Sequence, residues 1–207
     1  MRVHRLDEDF AKSRRRNWPT AFKGSLVLLV FIWTVFLLDS ILPLDFRVLS
    51  LRPRESSGLL GILTSPLVHG DLAHLFSNSL PLLLASTALF GNYPKIATKA
   101  FSLCLFLTGT LVWLFARSSN HIGASGLLYS LLSFLFFSGF FKKDIQSIGI
   151  SLAIAFMYGS LIFGVLPKDQ SISWESHLFG FISGLSLAVL FRNKDMPVYK
   201  KWDFESE

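Results

Sequence analysis

The chain has a single cysteine, Cys104, set inside an apolar stretch, so no intrachain disulfide can form. Charge is also scarce, at 16% of the residues, and it gathers near the two ends and in a few short clusters. No HExxH or other paired-ligand spacing occurs among the five histidines, which argues against a zinc centre and leaves no cofactor implied. The first apolar run is too long for a cleavable export signal and has no small-x-small site after it. Asp7, Glu8 and Asp9 argue against an organelle transit peptide. The formal net charge of +6 does not make the chain a nucleic-acid binder, because the basic residues flank apolar runs, as in membrane proteins.

What the chain has in abundance is hydrophobic sequence, 51% of 207 residues with a mean hydropathy of +0.49. Stretches without charge, such as Leu26 to Phe36 and Ile122 to Phe141, point to membrane helices. Six runs approach the roughly 20 residues that cross a hydrocarbon core. They are Phe22–Leu42, Leu72–Phe90, Ile96–Ala116, Ser125–Phe141, Ile145–Leu166 and Trp174–Phe191. Pro43, Gly91-Asn92-Tyr93-Pro94, Lys142-Lys143-Asp144 and Pro167-Lys168-Asp169 separate them. Asp45 to Gly70 carries its own apolar pieces and is expected to be a structured interfacial loop. The expected organisation is a tail over 1–21, a membrane domain over 22–191 and a second tail over 192–207.

Basic residues orient the six spans. With the N-terminus in the cytoplasm, only Arg47, Arg52, Arg54, Arg117 and Lys168 of the 20 fall outside. Positive-inside then predicts an all-α membrane bundle with both termini cytoplasmic. The second, fourth and sixth spans begin at the outer face. Three polar constellations begin those same spans: His74 with Asn78, the turn Gly123-Ala124-Ser125-Gly126, and His177 with Gly180 and Gly184. A bilayer penalises such groups, so their convergence calls for a function.

A serine hydroxyl needs a base to become a nucleophile, and histidine suits that task near neutral pH. Ser125 with His177 is therefore read as a hydrolytic dyad. Gly123 and Gly126 clear space around the hydroxyl, and the small-xxx-small face of Gly180 and Gly184 allows close approach of the sixth span. His74 and Asn78, four apart and so on one face, are placed to stabilise an oxyanion together with the Ser125 amide. For each motif alone an ordinary reading competes: helix packing for the glycines and an interhelical hydrogen bond for Asn78. Tyr129, one turn from Ser125, is placed to pack on the His177 ring or to serve as a plain bundle tyrosine. His69 reads as structural and His121 as a solvated loop residue. Asp39 and Glu175 lie near the outer boundary, and neither is expected to orient the base.

Taken in order, His-x-x-x-Asn, Gly-x-Ser-Gly and His-x-x-Gly-x-x-x-Gly make the chain resemble the rhomboid family of intramembrane serine proteases over Asp45 to Phe191. The resemblance implies a six-helix bundle of the minimal bacterial type, in the inner membrane. It implies Ser125 as nucleophile and His177 as general base without an acidic third member, oxyanion donors from His74, Asn78 and the Ser125 amide, and family positions at His69 and Tyr129. Implied partners are the lipid bilayer and single-pass transmembrane substrates, which approach near the second and fifth spans under a Lys168–Ser173 lid. Two departures stand out. Leu60-Gly61 occupies the stretch where many bacterial members carry Trp-Arg, and Ser176 precedes the base where alanine is usual. Two other readings stand beside the protease: an inactive rhomboid-like protein that binds membrane clients, and a small transporter, for which the missing internal repeat is unfavourable.

Overall fold

The computed structural model describes residues 8–42, 45–142, 145–159, 164, 166 and 173–195. Seven α-helices and three short 3-10 turns order the described residues, with no strand among them. The helices are α1 (Glu8–Ile41), α2 (Gly61–Thr64), α3 (Leu72–Asn92), α4 (Ala97–Phe115), α5 (Ser125–Lys142), α6 (Ile145–Tyr158) and α7 (Trp174–Leu190). Four of them are long and apolar enough to cross a bilayer: α1 over Asn17–Ile41, α3, α4 and α5. The shorter α6 and α7, of 14 and 17 residues, are equally apolar. The start of α1 lies upstream of the expected Phe22, because Glu8, Ala11, Lys12 and Arg14 to Arg16 are good helix formers that extend it. Its Pro19 is accommodated within the helix. The expected breaks at Pro43, Lys143-Asp144 and Pro167-Lys168-Asp169 lie outside the described residues.

The bundle is built around α5. In the membrane-length window 72% of α5 is buried, against 17% for α1. Small residues along α5 make this possible by letting neighbouring backbones come close. On one side α7 lies against it, with the Ser133 hydroxyl donating to the Phe181 carbonyl at 2.8 Å. On another, the Ser151 hydroxyl of α6 donates to the Phe136 carbonyl at 2.8 Å, beside Gly139. Phe134 is fully buried and meets Tyr93 and Phe191 edge-on. The outer layer is α1 on α3, pinned where the Trp33 indole donates to Ser79 Oγ at 3.0 Å.

At the C-terminal end of α5, Lys142 is buried rather than part of an exposed basic turn. Its Nζ donates to the Asp195 carbonyl at 2.8 Å and lies 3.9 Å from the centre of the Tyr93 ring. The Asp195 carboxylate accepts from the Lys95 amide at 2.9 Å. These bonds hold the chain after α7 to the α3–α4 turn.

The loop over 45–70 is ordered, as its apolar pieces predict. The Leu51 and His121 backbones exchange two hydrogen bonds, of 3.0 and 2.9 Å. Arg54 reaches the Ala116 carbonyl at 2.7 Å and Ser118 Oγ at 3.2 Å, and the Trp113 indole donates to the Glu55 carbonyl at 3.0 Å. A tryptophan and an arginine thus brace this loop, but the arginine sits six residues before Leu60 and the tryptophan on α4. Gly109 gives α2 its seat, since a side chain there would come within 2.6 Å of the Ile62 carbonyl.

Candidate active site

Three helix starts meet at one end of the bundle. Asp71 caps α3 by accepting from the His74 amide at 2.8 Å, which fixes the helix start and puts His74 in its first turn. The chain before α5 turns at Gly123, whose φ of +99° is open to glycine and strained for other residues. A side chain at Gly123 would also fall 2.5 Å from His74 Cε1. The His74 ring therefore lies against the turn that delivers Ser125.

Ser125 Oγ and His177 Nε2 are 2.9 Å apart. The other ring nitrogen, Nδ1, is 2.9 Å from the Gly164 carbonyl. A carbonyl only accepts, so Nδ1 carries the proton and Nε2 is left to accept from the serine hydroxyl. The Tyr129 ring stacks on the imidazole at 4.2 Å with 4° between planes, which holds its orientation. Glu175 makes no hydrogen bond to the His177 ring; it pairs with Arg117 at 3.4 Å. Asp39 accepts from the Phe46 amide at 2.9 Å and closes the end of α1.

Asn78 is buried, and its amide donates to the His74 carbonyl at 2.9 Å. That bond uses one of two N–H groups and leaves the other. His69 lies edge-on to His74 at 5.1 Å and accepts weakly from the Ala124 amide at 3.4 Å. Burial, with His74 beside it, pushes His69 down to about 4. A neutral His69 thus contributes stability that is complete above the ordinary value of 6.5 and is lost as pH falls through about 4. Thermal melts in detergent should show a Tm that declines across that window, and His69→Gln should flatten the decline. An equally steep decline in the variant would remove His69 as its source.

His121 corrects the sequence reading most sharply. It is buried, not solvated, and burial pushes its imidazole below the usual range. Its Nε2 lies 3.1 Å from the Arg117 carbonyl and its Nδ1 is hydrogen-bonded to Ser173 Oγ. The Gly164 carbonyl also escaped the sequence reading, and a backbone acceptor leaves no signal there to find. For His121 a signal existed: a histidine four residues before the serine, in the turn that must hold it.

A rhomboid-domain family model matches residues 56–194. An uncharacterized protein of Mycobacterium tuberculosis is 29% identical over 187 residues, covering 86% of this chain and 78% of its own. An uncharacterized protein of Mycobacterium leprae is 29% identical over 195 residues, covering 86% of this chain and 74% of its own. With the family match spanning more than half of the sequence and four helices of membrane length, the chain is an integral membrane protein that belongs to the rhomboid family.

Proposed function

We propose that this protein is a serine endopeptidase that cleaves single-pass transmembrane substrates near the outer face of a bacterial inner membrane. The observation that carries the reading is the 2.9 Å contact between Ser125 Oγ and His177 Nε2, with the Nδ1 proton engaged by Gly164. In this reading α1 and α3 to α7 are six spans over 22–191, and the tails over 1–21 and 192–207 are cytoplasmic. Charge favours it: among the described residues Lys95, Lys99, Lys142, Arg192 and Lys194 lie at the helix ends opposite the one that carries Ser125.

The chemistry is acyl transfer. Ser125 Oγ attacks a peptide carbonyl carbon while its proton passes to His177 Nε2. The carbonyl oxygen becomes negative and is met by the Ser125 amide at the α5 start, the remaining Asn78 N–H and the His74 ring. Collapse breaks the C–N bond, and the imidazolium gives its proton to the leaving amine. Water then attacks the acyl-enzyme, returning a proton through His177 to Ser125. The Gly164 carbonyl takes the orienting place that a carboxylate holds in a triad. A substrate helix must unwind at the cut, because helical carbonyls are already bonded.

Labelling with a serine-directed fluorophosphonate tests the dyad. Ser125 should be the modified residue, and His177→Ala should slow labelling by about 10³-fold or more. Equal labelling of wild type and His177→Ala would remove the base from the mechanism. A fully inert wild type would favour a client-binding protein instead.

A further inference from the structure

The first turn of α7 is tied to the loop before α5 by a chain of side-chain hydrogen bonds that the dyad chemistry does not use. Ser173 is the N-cap of α7, yet its hydroxyl makes no capping bond to its own helix. A capping serine normally accepts from an amide in the first turn and so stabilises its helix. Here Ser173 Oγ bonds His121 Nδ1 instead and lies 2.6 Å from Ser176 Oγ. Local helix stability has been exchanged for a link across the bundle.

The far end of that link is rigid. The His121 amide and carbonyl are both paired with Leu51, at 2.9 and 3.0 Å, and its Nε2 faces the Arg117 carbonyl at 3.1 Å. Since Nε2 donates there, Nδ1 accepts, and the Ser173 hydroxyl must be the donor. The near end sits beside the dyad. Ser176 directly precedes His177, and a side chain placed at Gly126 would come 3.2 Å from Ser176 Cβ. A second tie runs in parallel: Arg117 pairs with Glu175 at 3.4 Å.

From this geometry we infer that His121 is a positioning residue, which through Ser173 and Ser176 sets the first turn of α7 so that His177 meets Ser125. The inference rests on the proposed hydrolytic reading for its effect on rate, but not for the tether itself. Reacting groups displaced by about 1 Å lose on the order of 10²-fold in rate, and the tether restrains that displacement. Ser176 supplies the hydroxyl that completes the chain, which gives a reason for serine rather than alanine before the base.

The full chain in detergent micelles, with a transmembrane peptide substrate, provides the test. His121→Leu and Ser173→Ala should each lower kcat by about 10- to 100-fold and leave KM nearly unchanged. The double variant should be no slower than the slower single, because both remove one link. His121→Asn keeps an acceptor near the Nδ1 position and should restore most of the rate. Multiplying losses in the double variant, an Asn variant as slow as Leu, or a loss confined to KM would each overturn the assignment. Should His121→Leu fail to fold, Ser173→Ala and His121→Asn carry the same comparison. The tether is also read without activity, by nitrogen NMR of histidine-labelled protein. Ser173→Ala should move the His121 Nδ1 and His177 ring signals, and unmoved signals would overturn it. If wild type neither cleaves nor labels while these signals move, the hydrolytic reading fails and the tether stands.

Discussion

Replacing Ser125 by alanine should lower turnover of a membrane-anchored peptide by at least about 10⁴-fold while leaving Tm close to that of wild type. The hydroxyl is the group bonded to His177, and its oxygen would become part of the acyl-enzyme. Among the described residues none nearby can replace it in that position: Tyr129 lies flat on the imidazole, and Ser176 is turned toward Ser173. Alanine keeps the Cβ and the start of α5, so the fold loses one hydrogen bond and no packing. Cleavage of a reporter helix in liposomes, followed by mass spectrometry, reads the effect. Turnover within tenfold of wild type would place the nucleophile elsewhere.

A second large effect is expected at the contact between α5 and α7. A Cβ on Gly180 would overlap the Gly126 carbonyl and come 3.1 Å from Tyr129 Cβ. A Cβ on Gly184 would overlap the Ser130 carbonyl and come 2.8 Å from the Phe134 amide. The obstructing atoms are backbone and cannot rotate away, so α7 must withdraw as a body. Gly180→Ala and Gly184→Ala should each cost about 1–3 kcal/mol from overpacking. Withdrawal also draws His177 away from Ser125, adding a rate loss on the order of 10²-fold. Gly149 on α6 is the control, because a Cβ there meets nothing within 4 Å. Gly149→Ala should be neutral or slightly stabilising, by up to about 1 kcal/mol. Melting temperature and fluorophosphonate labelling, measured together, separate the two contributions. Gly180→Ala behaving like Gly149→Ala would show that the two helices are not held as described.

These two effects come from different levels of information. The glycine face of α7 and the glycine-flanked serine were visible in the sequence as motifs, but each had a bland competing reading in helix packing. Packing geometry gives both readings at once: Gly180 and Gly184 are packing residues, and the packing carries His177 to Ser125. Asn78 shows the same doubling, since its amide bonds its own helix while one N–H remains.

By itself the sequence determined where the long apolar helices lie and which residues begin α3, α5, α6 and α7. Long uncharged runs, breaks at Gly91 to Pro94 and a capping Asp71 act within a few residues of one another, and hydropathy and capping are local forces. Only the tertiary structure decided which partners the polar groups take. Gly164 offers a backbone oxygen to His177, Ser173 bonds His121 instead of capping its own helix, Lys142 is buried under Tyr93, and Arg54 braces a loop against α4. A polar group removed from water must find a partner, and several residues along the chain can satisfy each one. Which of them arrives depends on how closely the helices pack, and that closeness is a property of the assembled bundle rather than of any one segment.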